Sequence, residues 1–181
     1  MVVLQSEPDR LHPILSRSKT ATQIENMIFT PLAEYDPSTL ELEPLMIDQI
    51  PEPLYDSLST TGRVLRLDIN LRDSMQWSDG TPITAQDLLF TYKCLFNPEV
   101  AASRFRQELA FIRHFRIDEN DPHYLAIYLD TNAIDEVHKV LNLFIYPEHV
   151  YDTSGLMYEI SISSLLTGEI QSSDRDKLKE F

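Results

Sequence analysis

The sequence predicts a mixed α/β fold, an α+β arrangement of antiparallel hairpins with flanking helices. Two stretches have a strand, turn and strand pattern, and helical stretches separate them. The helices and strands do not alternate in the regular manner of a parallel β-α-β protein, and no segment repeats at a fixed period. At 181 residues the chain has the length of one domain or of a large piece of a bigger protein.

The first part of the chain predicts a buried strand, a helix and a hairpin. The strand is the apolar, β-branched stretch Val2–Gln5. The helix begins near Thr20 and ends before Pro31, because proline cannot continue a helix. Residues 32–35 and 40–44 form two strands around an Asp-Pro-Ser-Thr turn. The apolar positions of the helix share one face, namely Ala21, Ile24, Met27 and Ile28.

The middle of the chain predicts a linker followed by longer strands. Residues 50–62 have the Pro, Ser and Thr content of a linker. Residues 63–71 alternate between apolar and polar side chains, as in a strand with one face in water. Residues 113–118 and 123–129 form a second hairpin around a turn that contains Asn-Asp-Pro. The predicted core side of the first strand consists of Leu65, Leu67, Ile69 and Leu71.

A helix over residues 85–96 has the clearest boundaries in the chain. Thr84 is a favourable N-cap, and Asp87 stands three residues later, where a carboxylate can return a hydrogen bond. We expect Tyr92 at the edge of its apolar face, Lys93 and Asn97 away from that face, and Cys94 as a packed thiol. The predicted apolar face is made of Leu88, Leu89, Tyr92, Leu95 and Phe96.

The last fifty residues give weaker patterns. Asn132 or Thr131 is the expected cap of a helix that Pro147 ends, with the stripe Ile134, Val137, Leu141, Phe144 and Ile145. Residues after 152 carry no clear pattern until a final amphipathic helix. Ser173 is its expected N-cap and Leu178 its first apolar contact. Because this helix has barely begun at Phe181, we expect the chain to be part of a longer gene product.

Charge and composition exclude several classes of partner. A net charge of −14 makes the chain repel nucleic acid and anionic membranes, and no basic cluster reverses that charge locally. No apolar run approaches the roughly 20 residues that a membrane-spanning helix needs. The N-terminus lacks the features of a signal peptide, so we expect either a cytosolic protein or one whose export signal has been removed.

No motif for metal, cofactor or catalytic chemistry is present in the sequence. The histidines lack zinc-site spacing, and one cysteine cannot form a zinc ribbon or an internal disulfide. Residues 118–122 are dense in oxygen ligands but lack the glycine and the glutamate of a calcium loop. Four glycines form neither a phosphate loop nor a dinucleotide fingerprint, and no nucleophile motif appears. We therefore expect no metal, no cofactor and no catalytic residue, and a protein that is not an enzyme.

A turn with an unusual composition precedes the capped helix. Asp79-Gly80 is a turn dipeptide, and Gly80 is free to adopt positive φ. Trp77 beside it is suited to packing against the core. We expect Trp77, Asp79, Gly80, Thr84 and Asp87 to form a structural corner and not a ligand contact.

Residues 65–98, LRLDINLRDSMQWSDGTPITAQDLLFTYKCLFNP, resemble the hallmark of the family 5 extracellular solute-binding proteins, the dipeptide, oligopeptide and nickel receptors of ABC importers. EPDRLHP at 7–13 is similar to the family's opening motif, and YPEH at 146–149 is similar to a later one. His12 stands where the family has aspartate, and the family's GTGPY segment does not appear. The hallmark is matched by Leu67, Leu71, Arg72, Trp77, Ser78, Asp79, Gly80, Thr81, Pro82, Thr84, Ala85 and Asp87.

The resemblance implies part of a periplasmic-binding-protein type II-like lobe. Residues 1–181 would be the N-terminal part of lobe I, with an inserted subdomain at about 35–150, and the second lobe would be absent. Such proteins close two lobes around a solute by hinge bending and present it to a membrane permease. The resemblance further implies a monomer that binds a peptide or similar solute in the periplasm or outside the cell, with a possible lipid anchor.

Two stretches are candidates for ligand contact. Loops after strand ends commonly bind ligands in α/β proteins, which selects Gln5, Ser6 and Glu7. The resemblance implies the same loop, and Glu7 is suited to a peptide's ammonium group. Arg104 and Phe105 combine a cation with a stacking surface in an otherwise acidic chain.

Other functions remain open from sequence alone. Within the same family these are a receptor for nickel complexes or oligosaccharides, or a cytosolic regulator that uses the domain as a sensor. A hydrolase with a carboxylate pair would show turnover and a cleft complete within these residues. A structural interaction domain would show an exposed apolar patch without a concave pocket.

Overall fold

The structure, a computed structural model, describes residues 6–58 and 62–181. The predicted strand Val2–Gln5 lies outside the described residues. The mixed α/β fold with antiparallel hairpins is confirmed. No helix within the described ranges is long and apolar enough to cross a membrane. In chain order the helices are α1 (Lys19–Ile28), α2 (Ala85–Phe96), α3 (Ser103–Glu108), α4 (Val137–Leu141), α5 (Glu148–Tyr151), α6 (Leu156–Glu159), α7 (Ile162–Thr167) and α8 (Ser172–Glu180).

The strands form two antiparallel sheets. β1 (Ala33–Tyr35) pairs with β2 (Leu42–Pro44) in a small hairpin, as predicted. The larger sheet contains β3 (Leu54–Leu58), β4 (Gly62–Asn70), β5 (Ile112–Asp118) and β6 (Asp121–Leu129) in the order β3-β4-β6-β5. One face of this sheet packs against α2 to form the core. That face consists of Leu65, Leu67, Ile69, Leu125, Ile127 and Leu129, all at most 1% exposed.

The predicted linker at 50–62 is partly a strand. Leu54–Leu58 pairs with Gly62–Arg66 in antiparallel register and forms one edge of the large sheet. The polar composition of this segment suggested a linker, but a strand at the edge of a sheet is largely exposed and therefore tolerates polar residues. Tyr55 of this strand is 62% exposed and lies under the guanidinium of Arg63.

The predicted helix over 132–145 is shorter and begins differently. A turn of 3₁₀ helix at Ile134–Glu136 precedes α4, which ends at Leu141. Phe144 instead forms a β-bridge with Pro31, so the stripe does not continue as helix. Neither Thr131 nor Asn132 is the cap. The helix does not continue through residues 144–146 because their backbone pairs with other parts of the chain: Phe144 with Pro31, and the N–H of Tyr146 with the Thr91 hydroxyl.

Two further predictions about helix faces and caps are wrong. Met27 and Ile28 of α1 are 68% and 63% exposed, and the buried residues of this helix are Thr20, Ala21 and Glu25. The N-cap of α8 is Gln171, one residue before the helix begins at Ser172, whereas Ser173 lies inside the helix. A face defined by apolar residues alone therefore missed the buried carboxylate of α1.

Helix α2 is buried on almost every side, against the prediction of a single apolar face. Tyr92 is fully buried and not at the edge, and its hydroxyl donates to the Val140 carbonyl at 3.3 Å. The Lys93 ammonium donates to the carbonyls of Met157 at 2.8 Å and Tyr158 at 3.1 Å. These carbonyls make burial of the charge tolerable. Cys94 is buried, as predicted, and burial raises the pKa of its thiol, which keeps it protonated.

Candidate functional site

A cleft of about 400 Å³ lies beside α1. Its lining comes mainly from α1 and the turn that precedes it, from residues 142–146 and from the start of α3. The lining residues are Pro13, Ser16, Arg17, Thr22, Glu25, Asn26, Phe29, Pro31, Glu34, Leu95, Arg104, Phe105, Asn142, Leu143, Phe144 and Tyr146.

Aromatic rings form part of the cleft wall. Phe29 lies 5.7 Å from Tyr146 between ring centroids, in a T-shaped arrangement, and 5.8 Å from Phe144. Phe105 lines the same cleft from α3. Such rings supply apolar contact area to a ligand at little conformational cost.

Charged side chains of both signs line the cleft as well. Arg17 and Arg104 are exposed, as is Glu34, whereas Glu25 is only 3% exposed. Two guanidinium groups and two carboxylates therefore share one cavity in a chain whose net charge is −14. A cavity with this composition suits a solute that carries both charges better than a purely anionic or cationic one.

Arg104 and Phe105 are neighbours in space as well as in sequence. The guanidinium carbon of Arg104 lies 4.7 Å from the centroid of the Phe105 ring. Its Nε is 3.8 Å from a carboxylate oxygen of Glu108, and the Arg104 side chain is 72% exposed. Exposed pairs of this kind contribute little to stability, so the guanidinium is available to a ligand.

The described residues of the first predicted loop do not line the cleft. Ser6 hydrogen-bonds through its Oγ to Thr20 Oγ1 at 2.9 Å, which attaches the loop to α1. Neither Ser6 nor Glu7 is among the residues that line the cleft, and Glu7 is exposed. Gln5 lies outside the described residues. The structure thus brings Arg104 and Phe105 to the cleft but not Glu7.

The corner formed by Trp77, Asp79 and Gly80 faces a later part of the chain. Gly80 has φ +88°, a conformation that side chains with a Cβ rarely adopt. The backbone N–H of Thr81 and the ring of His149 hold the pKa of Asp79 at about 2. The distance from Asp79 Oδ2 to His149 Nε2 is 2.7 Å.

Asp87 joins the same two segments. Its Oδ2 accepts from the Thr84 backbone N–H at 2.9 Å, which is the predicted cap. Its Oδ1 accepts from the backbone N–H of Glu148 at 3.0 Å. The two motifs quoted from the sequence, at 77–87 and 146–149, are therefore bonded to each other.

This contact positions one side of the cleft. The backbone N–H of Tyr146 donates to Thr91 Oγ1 at 2.9 Å, inside the buried part of α2. Tyr146 then directs its ring toward Phe29. The corner does not line the cleft, yet it fixes the segment that does.

A second cavity of about 210 Å³ lies on the other side of Tyr146. Its lining is mostly apolar and includes Leu15, Phe90 and Phe181. His12 also lines it, and burial lowers the pKa of this imidazole. The mainly apolar lining offers few groups that would orient a polar solute.

The part of the chain that the structure describes offers no candidate metal site. There, no three His, Cys, Asp or Glu side chains lie close enough together to hold a metal ion. Asp118, in the oxygen-rich turn, accepts from the Asn120 backbone N–H at 2.9 Å, as in an ordinary turn.

Sequence reasoning missed two residues that define the cleft, Glu25 and Tyr146. Glu25 stands four residues after Ala21, so it shares the buried face of α1. The spacing is visible in the sequence, but acidic side chains are rarely buried in a protein, so the spacing alone did not predict a buried Glu25. Tyr146 begins the quoted YPEH motif, but its position at the cleft depends on the distant Thr91, which no local pattern indicates.

Comparison with known proteins supports the fold and part of the sequence resemblance. No family model matches the chain. The oligopeptide-binding protein OppA of Lactococcus lactis subsp. cremoris is 43% identical over 44 residues, which cover 24% of this chain and 7% of that protein. Protein XP55 of Streptomyces lividans is 31% identical over 113 residues, covering 62% of this chain and 18% of that protein.

Solved structures share the architecture at low identity. The oligopeptide-binding protein AppA of Bacillus subtilis, in complex with a nonapeptide, superposes with a TM-score of 0.59 at 16% identity over 96% of this chain. The murein tripeptide binding protein MppA of Escherichia coli gives 0.64 at 22% identity over 83% of this chain. The chain spans 31% of each of these structures. The resemblance and the fold class predicted from sequence are confirmed.

Proposed function

We propose that this chain is the solute-binding part of an ABC-importer receptor and that its solute is a short peptide. The observation that carries the proposal is the cleft, with guanidinium groups, carboxylates and aromatic rings around about 400 Å³. A peptide offers an ammonium group, a carboxylate and apolar side chains, and each finds a complementary group in this lining. A peptide solute also agrees with the names of OppA and AppA, which are oligopeptide-binding proteins, and of MppA, a murein tripeptide binding protein.

The mechanism that we propose is binding by closure of two lobes, without catalysis. The chain spans less than a third of the similar solved structures. Residues 1–181 would form part of lobe I, with a subdomain at about 35–150, and the ligand would be enclosed only when a second lobe closes on it. A permease would receive the closed form. We place such a receptor outside the cytoplasmic membrane as a monomer, with a lipid anchor as one means of retention.

Binding by these 181 residues alone is expected to be weak. In this proposal a second lobe supplies the rest of the enclosing surface, so a ligand bound by these residues alone stays partly hydrated, and we expect a Kd on the order of 1 mM. Weak binding of this kind is measurable residue by residue with two-dimensional NMR of ¹⁵N-labelled protein.

The test is a titration of the labelled chain with tri-alanine, with a neutral trisaccharide and with a nickel chelate. Tri-alanine is expected to shift resonances of α1, α3 and residues 142–146 and to remain uncleaved. Phe105→Ala is expected to weaken binding several-fold, because it removes a wall of the cleft. Phe111→Ala is the matched control, since Phe111 is also partly buried but does not line the cleft.

Three results would contradict the proposal. Shifts only with the trisaccharide or only with the chelate would replace the peptide by that solute class. Shifts confined to residues outside the cleft would remove the site. Release of alanine from the tripeptide would show an enzyme.

A further inference from the structure

Glu25 has an unusual environment for a carboxylate. It lies in the second half of α1, is 3% exposed and is one of the residues that line the cleft. Its Oε2 accepts a hydrogen bond from Ser16 Oγ at 3.0 Å. Its Oε1 is buried and has no hydrogen-bond partner among the described residues.

No basic side chain forms an ion pair with Glu25 within the described parts of the chain. No Lys, Arg or His nitrogen there comes within 4.0 Å of the Glu25 carboxylate, although ion pairs occur elsewhere. The cleft's own guanidinium groups, on Arg17 and Arg104, belong to exposed side chains. A buried carboxylate with one free oxygen is costly, and a cation that reached it would recover much of that cost.

The surroundings of Glu25 strengthen its attraction for a cation. Phe29 and Tyr146 line the same cleft, and their ring centroids lie 5.7 Å apart, so apolar groups surround this part of it. Opposite charges attract more strongly where water is excluded than at the surface. Their rings also present faces to which an organic cation is attracted.

We propose that Ser16 and Glu25 form the subsite that binds a positively charged nitrogen group of the solute. This inference rests on the proposed function, because it names the part of the peptide that the cleft recognises. The group is either the amino-terminal ammonium or a lysine or arginine side chain. Glu25, and not the exposed Glu7, is then the carboxylate that a peptide's cation meets.

The experiment compares three peptides by NMR titration of the 181-residue chain. They are tri-alanine, N-acetyl-tri-alanine, and N-acetyl-Ala-Lys-Ala, which restores a cation at a side chain. For the wild-type chain we expect N-acetyl-tri-alanine to bind about tenfold more weakly than the better of the two cationic peptides. Which cationic peptide binds better identifies the source of the charge.

Glu25→Gln is expected to remove this difference between acetylated and cationic peptides. The substitution keeps the side chain's size and an oxygen for Ser16, so the fold should be retained. Glu52→Gln is the matched control, because it makes the same change at an exposed glutamate that does not line the cleft, and it should leave the tenfold difference in place. A purely structural role of Glu25 would weaken all three peptides alike and leave their ratio unchanged.

The outcomes separate this inference from the proposed function. Equal binding of all three peptides by the wild-type chain would overturn the subsite while leaving peptide binding intact. A tenfold difference that survives in Glu25→Gln would place the cation elsewhere and also overturn it. Absence of binding by every peptide would overturn the proposed function, and the subsite with it.

Discussion

At the scale of single residues, two buried carboxylates of similar exposure differ in how many of their oxygens have hydrogen-bond partners. Asp87 is 5% exposed, and backbone N–H groups of Thr84 and Glu148 satisfy both of its oxygens. Glu25 is 3% exposed, and only its Oε2 has a partner among the described residues. A satisfied carboxylate fixes structure, whereas an unsatisfied one is suited to binding.

Asp87→Ala should therefore destabilise the protein. The substitution removes the Asp87 half of the capping box of α2 and leaves the part-buried N–H of Glu148 without an acceptor. We expect a loss of about 2 to 3 kcal/mol in the free energy of unfolding. Chemical denaturation followed by circular dichroism measures this loss.

Asp135→Ala is the control for the charge and size of that change. Asp135 is exposed, and its side chain makes no hydrogen bond among those described, so we expect a change near zero. Equal stabilities of the two variants would show that Asp87 does not join the two segments.

At the scale of elements, α2 and α8 show how tertiary contacts override local pattern. Lys93 of α2 and Asn97, the residue directly after the helix, are buried because carbonyls of later segments accept from them, including that of Leu178 from Asn97 at 3.3 Å. Helix α8 is nine residues long and mostly polar. A helix this short is marginal by itself, so contact with the rest of the protein must stabilise it.

Leu178→Ala tests that contact. Leu178 is 1% exposed and is the only buried residue of α8. Its truncation should lower the free energy of unfolding by about 2 to 4 kcal/mol and detach α8, as measured by denaturation and by hydrogen exchange of its amides. Leu11→Ala removes the same atoms from a side chain that is 54% exposed and should have little effect. Rapid exchange of α8 in the wild-type chain would argue against the contact.

At the scale of the whole molecule, the net charge of −14 opposes folding by self-repulsion. Added KCl screens repulsion between exposed carboxylates, so we expect the melting temperature to rise between low salt and about 0.15 M. Sucrose at the same osmolality controls for effects other than screening. A melting temperature that falls or stays constant in KCl would show that the acidic residues are already compensated within the fold.

Local patterns in the sequence predicted much of the fold and little of the cleft. The cap formed by Thr84 and Asp87 and the two hairpins follow from residues close together in the chain, and the structure contains them. Strand β3 and the burial of Tyr92 were missed because each depends on residues distant in sequence. Arg104 and Phe105 were selected for their chemistry, and the structure places both at the cleft.

The sequence by itself determined the fold class, the capped helix α2 and the resemblance to solute receptors. Caps, turns and alternation depend on neighbouring residues, so one chain is enough to recognise them. Only the tertiary structure decided that Ser16, Glu25, Phe105 and Tyr146 surround one cleft. These residues come from four separate segments, and their meeting depends on long-range packing, which no local pattern encodes.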